Sequence, residues 1–303
     1  GYIGGAVLTK LLEHPKANDF HITALVRSTE KAEKLKSVGV TPANADHAPS
    51  VQAMLSGQKE RFEKTGERPI LIHTVGVLSD NAEGLYRTET IWNDADPAQI
   101  ATIAPTQPHR NVDLLIVDAD KEGYVRTYII LPSTIYGLAR GLLVDIGVSN
   151  NRSIQIPAII EASLDRKQGG MVGQGKNLWP NVHIDEQADL YILLLDAALS
   201  KPETGHGVNG YYFGESGEHS LYDVGKAVAE ALVDLGIGSP EPTTFTKAEI
   251  DKYFGGSAYL GSNSRARANH SRAVGWSPKK STTDMLASIR AEVEEALKRA
   301  KKL

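Results

Sequence analysis

Gly1-Tyr2-Ile3-Gly4-Gly5 runs directly into Ala6-Val7-Leu8-Thr9-Lys10-Leu11-Leu12, where apolar residues recur at helical spacing. A glycine turn of this kind lets a backbone approach a pyrophosphate and aims free helix N–H groups at it. The five residues alone fit an ordinary turn before a helix equally well, since short glycine motifs recur by chance. A dinucleotide-binding turn also needs a buried strand and a further Gly ahead of it, and these are expected to lie outside this chain. Arg27 closes the apolar run Phe20-His21-Ile22-Thr23-Ala24-Leu25-Val26. At such a strand tip an acidic side chain would bind the ribose hydroxyls of NAD, whereas an Arg accommodates the 2′-phosphate of NADP. A solvated Arg at a strand end is the plainer alternative.

Other chemistries find less support. Cys is absent, which excludes disulfides, thiolate metal sites and Cys nucleophiles, and suits a reducing, cytoplasmic location. His183 and Asp185 have no third ligand at helical spacing, so no metal is expected. Gly214-Glu215-Ser216-Gly217 misses the Gly-x-Ser-x-Gly nucleophile elbow by one residue. Arg265, Arg267 and Arg272 could hold a substrate phosphate or carboxylate, or form a solvated face. The net charge is -4 and the pI near 6.2, so neither nucleic acid nor an anionic membrane is expected as a partner. The best apolar run, Tyr191-Ile192-Leu193-Leu194-Leu195, is far too short to span a bilayer.

The elements that must position these residues alternate between strand and helix. Glycine turn, helix and the strand from Phe20 to Val26 make half of a βαβ unit, with a charged helix from Thr29 to Val38 after it. Gly39-Val40-Thr41-Pro42 begins another strand but runs straight into Ala43-Asn44-Ala45-Asp46-His47 and a helix from about Pro49 to Thr65. A parallel sheet needs a further strand, helix and strand here, so an internal deletion near Pro42 and Ala43 is expected. Ile70 to His73 forms a short buried strand, Arg110 to Glu122 a helix capped by Gly123, and Tyr124 to Leu131 a strand ending Pro132-Ser133-Thr134-Ile135-Tyr136-Gly137. Helices are expected at Ile154 to Arg166, after the Asn181–Glu186 segment through about Leu199, at Leu221 to Leu235 and at Met285 to Lys301, with Gly169 to Lys176 a glycine-rich hairpin or loop.

Four segments together resemble the extended and atypical short-chain dehydrogenase/reductases, the NAD-dependent epimerase/dehydratase-like and NmrA-like proteins. Gly1-x-x-Gly4 is similar to the end of the family's Thr-Gly-x-x-Gly-x-x-Gly turn. Pro132-x-x-x-Tyr136-Gly137 matches its strand-end Pro-x-x-x-Tyr-Gly. Val182-His183-Ile184-Asp185-Glu186-x-Ala188 matches the segment that begins a substrate-lobe helix, and Gly275-Trp276-x-Pro278 the closing Gly-Trp-x-Pro. They occur in the family's order and span nearly the whole chain.

The resemblance implies an α/β fold: a doubly wound parallel Rossmann sheet, incomplete over residues 1–142, with a smaller substrate lobe over 143–303 interleaved with remaining sheet elements. It implies NADP, with NAD possible, held by Gly1, Tyr2, Ile3, Gly4, Arg27, Asn44, Ala45, His73, Pro132 and Thr134. It implies a small-molecule substrate as well. Thr74 takes the place of the family's Ser/Thr that holds the substrate oxygen, although a hydroxyl tying off a strand end is an equal alternative. The family's Tyr-x-x-x-Lys dyad is altered: His109 stands at the Tyr place and Asp113 at the Lys place. His109 could act as the acid, or simply cap a helix. The one literal match, Tyr222-x-x-x-Lys226, falls where the family has no active site. An oxidoreductase acting on a small alcohol, aldehyde or ketone is therefore expected. A non-catalytic cofactor-binding sensor and an epimerase- or dehydratase-like enzyme are the alternatives.

Overall fold

A computed structural model describes residues 1–26, 28–44, 50–75, 79–80, 83–86 and 88–300. The first half alternates as expected: α1 (Tyr2–Leu12), β1 (Thr23–Val26), α2 (Thr29–Lys36), β2 (Thr41–Asn44), α3 (Ser50–Thr65) and β3 (Ile70–Thr74). After them come β4 (Trp92–Asn93), α4 (Pro97–Ala101), α5 (Arg110–Lys121), β5 (Arg126–Pro132), β6 (Thr134–Tyr136), α6 (Leu142–Asp145), α7 (Gln155–Arg166) and β7 (Gly170–Met171). The chain ends with β8 (Leu178–His183), α8 (Ile184–Ser200), β9 (Tyr211–Gly214), β10 (Gly217–Ser220), α9 (Leu221–Val233), β11 (Thr243–Thr244), α10 (Lys247–Phe254), β12 (Ala266–Arg267), α11 (Asn269–Ala273) and α12 (Thr282–Ala300).

β5 is the centre. Its Thr127-Tyr128-Ile129-Ile130-Leu131 run is buried throughout, as a strand covered on both faces must be. It pairs in parallel with β3 on one side, Thr74 opposite Ile130, and with β9 on the other. α5 packs on β5 and α8 on β3, and Ile116, Val125, Tyr128, Ile130, Leu194 and Tyr212 meet in the main core. A second sheet, β10-β8-β6, begins the C-terminal half. β6 lies inside residues 1–142 yet pairs with β8, so the two halves interleave at Thr134–Tyr136. α7, α9 and α12 close a separate core around Tyr136, Ile160, Val228 and Ile289.

β1 is bonded to β2, in parallel, and β3 to β5, with no strand bond between β1 and β3 among the described residues. Between β1 and β3 lies a cavity of about 960 Å³, lined by Ile22, Thr23 and Ala24, by Ile72 and Thr74, and by residues of α1 and α8. A strand of five residues, at about 3.3 Å per residue, 4.8 Å between strands and 10 Å between layers, fills roughly 800 Å³. The two sheet fragments therefore stand apart by the room of about one further strand. β2 itself runs through Pro42 and Ala43, the point where an internal deletion was expected. Residues 45–49 beyond it lie outside the described residues.

Candidate active site

Gly1 caps α1, and the first turn of that helix faces the cavity through Gly1, Ile3 and Gly4. The two glycines at positions 4 and 5 differ in kind. A Cβ on Gly5 would overlap the Ser149 side chain, so packing requires that glycine; a Cβ on Gly4 would meet no protein atom within 4 Å. Tyr2 turns away from the cavity. It is buried, and its hydroxyl donates to the Gly137 carbonyl at 2.5 Å. Burial and the nearby Glu292 carboxylate raise its pKa. Tyr2 thus fastens the start of α1 to the loop after β6.

Ser28 caps α2, its side chain accepting the Lys31 N–H, and both residues line the same cavity. Arg27 and Ala45 lie outside the described residues, and Asn44 closes β2.

Thr74 ends β3 facing the cavity, with its hydroxyl 2.6 Å from that of Tyr191 on α8. Sequence reasoning missed Tyr191, which lies inside an apolar helical run and is 117 residues away. Burial raises the Tyr191 pKa, opposed only by the Thr74 bond. Tyr191 therefore does not copy the family Tyr, whose acidity is increased, but it can orient the Thr74 hydroxyl.

His73, next to last in β3, lies within electrostatic reach of His109. Burial lowers the His73 pKa, and the charge of His109 lowers it further. His109 is the N-cap residue of α5 and holds a left-handed backbone, φ 68, without a side-chain cap bond. Non-glycine residues in that region are uncommon, and such strain gathers at functional sites. The plain capping role weighed from sequence is thus not what the side chain does.

Asp113, one turn on, is buried with Arg110. Their ion pair is 3.9 Å long, and Arg110 spends its other bonds on the Tyr211 hydroxyl (2.7 Å) and the Ile100 carbonyl. Burial pushes the Asp113 carboxyl up to about 7, against the pull of Arg110. The charge that replaces the family's Lys is therefore directed into the core below α5. Tyr222 and Lys226 both bind Glu241 on the surface of α9, far in the fold from β3.

Pro132 and Thr134 do not share the cavity of Gly1 and Thr74. Pro132 lines a small cleft with Ser133, Trp179 and Glu215, and Thr134 another with Gln155 and His219. A larger cleft, about 730 Å³, opens beside His109 and is lined by Pro108, Gln107, Ser79 and Tyr259 among others. Among the described residues no group of side chains could hold a metal ion, and no helix is long and apolar enough to cross a membrane.

Taken together, these strands, helices and clefts have the fold of the extended short-chain dehydrogenase/reductases of the epimerase/dehydratase type. The structure of dTDP-glucose 4,6-dehydratase from Bacillus anthracis, in complex with NAD, matches 97% of this chain and 94% of its own, with a TM-score of 0.62 at 14% identity. UDP-glucuronic acid 4-epimerase from Bacillus cereus, in complex with UDP-glucuronic acid and NAD, matches 97% and 96%, with a TM-score of 0.61 at 13% identity. Among curated proteins, the oxidase ucsJ of Acremonium sp is 26% identical over 283 residues, 78% of each chain. No family model matches the sequence.

Proposed function

We propose that the chain binds a nicotinamide dinucleotide across the C-terminal ends of β1, β3 and β5 and acts as an oxidoreductase on a small alcohol or carbonyl compound. The observation that carries this reading is His109, held in a left-handed backbone within electrostatic reach of His73, the residue before Thr74 in β3. The cofactor fits the open face of the first turn of α1, where Gly4 leaves space that no protein atom uses. The NAD-bound structures of like fold support a nicotinamide dinucleotide. NADP is proposed over NAD because Lys31 lines the cavity next to the Arg27 position.

When bound, the nicotinamide would give or take the hydride at the substrate carbon. Thr74 would hold the substrate oxygen, its own hydroxyl oriented by Tyr191. His109 would give that oxygen its proton in reduction and take it back in oxidation. Burial favours the neutral form of His73, and the charge of His109 adds to this. Asparagine tolerates both the left-handed backbone and the cap position, so His109→Asn removes the imidazole with little disturbance. In an NADPH and NADH oxidation assay against aldehydes and ketones, kcat should fall about 100-fold or more with cofactor Kd unchanged. An unaltered kcat would remove His109 from the chemistry.

The buried Asp113 at the place of the dyad Lys favours one other reading, a cofactor-binding sensor without turnover. Tight cofactor binding with no consumption across the panel would select it.

A further inference from the structure

The sheet β10-β8-β6 gathers polar side chains on a face that belongs to neither the cavity at α1 nor the cleft beside His109. His219 on β10 stands opposite Trp179 on β8, and Thr134 on β6 stands opposite Asn181, two residues further along β8. Side chains two apart on a strand share a face, so all four project to the same side. Between them and α7 and α9 lies a cleft of about 20 Å³, lined by Thr134, Gln155, Trp179 and His219 together with apolar side chains such as Ile159 and Val224.

The hydrogen bonds fix which edge of His219 is free. Thr282 gives its one hydroxyl proton to the Glu218 carbonyl at 3.1 Å, so it must accept from Asn181 Nδ2 at 2.9 Å. That orients the Asn181 amide, and its other Nδ2 proton goes to His219 Nδ1 at 3.3 Å. Burial pushes the His219 pKa down to about 4, so the ring is neutral and, with Nδ1 accepting, carries its proton on Nε2. Among the described residues nothing accepts that Nε2 proton, and the Thr134 hydroxyl has no partner either. Thr134 is only 4% exposed and His219 6%. Buried donors left without an acceptor are costly, and a bound acceptor would satisfy both. The space admits only one or two groups of water size, at about 10–15 Å³ each, so the hydroxyl and the imidazole N–H face the same atom.

Gln155 and Trp179 also line the neighbouring cleft of about 60 Å³, so the two spaces adjoin. Leu131, Pro132 and Phe213 give this outer cleft apolar walls. Ser133 and Glu215 beside them are engaged: Ser133 donates to the Gly214 carbonyl, and Glu215 accepts from Arg272 and from the Ala268 N–H. An oxygen held by Thr134 and His219 can therefore carry a compact apolar body into the outer cleft, where water gains little. Gln155 is half-buried at the junction, and its carboxamide makes no bond among the described residues. Its Oε1 is thus available to an N–H next to that oxygen.

We infer that this two-part cleft binds a small uncharged carboxamide: Thr134 and His219 hold its carbonyl oxygen, Gln155 accepts from its N–H, and its body lies against Trp179 and Pro132. The inference is independent of the oxidoreductase reading, since neither Thr74 nor His109 lines either cleft.

Isobutyramide is the probe, and methyl isopropyl ketone, equal in size but without an N–H, is the control. Both are titrated into the full chain while long-range proton–nitrogen correlation NMR follows the His219 ring. Before any addition at neutral pH, Nδ1 should be bare and Nε2 protonated. Isobutyramide should move the Nε2 signal saturably and bind about fivefold tighter than the ketone. Thr134→Val keeps the side-chain shape and should weaken both probes about fivefold with the resting tautomer unchanged. Gln155→Ala should weaken the amide alone, to the level of the ketone. A protonated Nδ1, an Nε2 signal that neither probe moves because the cleft holds water only, or a ketone bound as tightly as the amide would each overturn the inference. So would undiminished binding in Thr134→Val or an amide preference that survives Gln155→Ala.

Discussion

Gly4 and Gly5 are neighbours in one helical turn, and replacing each with alanine should have opposite consequences. A glycine inside a helix costs about 0.5–1 kcal/mol relative to alanine. At Gly4 the added methyl group enters open space, so Gly4→Ala should stabilise the fold by about that amount, roughly 1–2 °C in Tm for a chain of this size. At Gly5 the methyl group collides with Ser149, whose hydroxyl also donates to the Gly1 carbonyl at 3.0 Å. Overpacking there should cost about 1–3 kcal/mol. The stability gain at Gly4 has to be bought with affinity if this turn cradles a pyrophosphate, because the methyl group then stands where a phosphate oxygen would approach the backbone. Losing one charge-assisted hydrogen bond, about 1.5–3 kcal/mol, weakens binding by roughly 10- to 100-fold. Thermal melts and titration calorimetry with NADP and NAD on both variants measure the two effects separately. A Gly4→Ala protein that is more stable and binds either dinucleotide within twofold of the original would refute the placement of the cofactor at α1.

Two further outcomes follow from buried carboxylates. Glu292 on α12 accepts the Gly137 N–H at 3.2 Å, and burial pushes its carboxyl from an ordinary 4.5 up to about 7. The folded state thus holds this proton to higher pH than the unfolded chain does. The penalty is absent below about 4.5, grows as pH rises through 7, and reaches about 3 kcal/mol once the group is ionised. Glu292→Gln keeps the acceptor and should raise Tm at pH 8 but not at pH 4.5; a lower Tm at pH 8 would contradict the sign. Asp94 is buried and accepts from the backbone N–H groups of Phe213, His270 and Ser271 at 2.9, 2.7 and 3.1 Å. Asp94→Ala strands three buried donors at about 1–3 kcal/mol each, so it should abolish cooperative melting near ambient temperature. A loss below about 1 kcal/mol in denaturant titration would show that these donors find water instead.

Local pattern carried much of the fold. Apolar spacing places a helix at Arg110 to Glu122 and the structure has α5 there; the buried run before Pro132 is β5, shifted by two residues at its start. The terminal helix and the helix from Leu221 fall where capping and periodicity put them. What local pattern could not supply is contact between distant residues. Nothing near Tyr191 announces that it meets Thr74, and Asp94 reads as one more acid in a polar segment until β9 and α11 close around it. The pairing of β1 with β2 was equally invisible, because a parallel edge does not reveal its neighbour in its own residues. The Tyr222-x-x-x-Lys226 match shows the converse: correct spacing at the start of α9, with both side chains bound to Glu241 on the surface.

The altered dyad narrows the source of the proton. In the family pattern a Lys makes a Tyr acidic enough to exchange its proton near neutral pH. Here the Tyr191 hydroxyl bonded to Thr74 has its acidity reduced by burial, and Asp113 at the Lys place is paired with Arg110 inside the core. A Tyr raised in this way keeps its proton through the neutral range, so it can orient but not titrate. An imidazole is the side chain suited to proton exchange in that range. Burial favours the neutral form of His73, whose electrostatic neighbour His109 holds a left-handed backbone next to Pro108, a residue of the larger cleft. On the proposed reading, Thr74 is the hydroxyl that would hold the substrate oxygen, and the acid–base role would pass from a Tyr activated by a cation to His109.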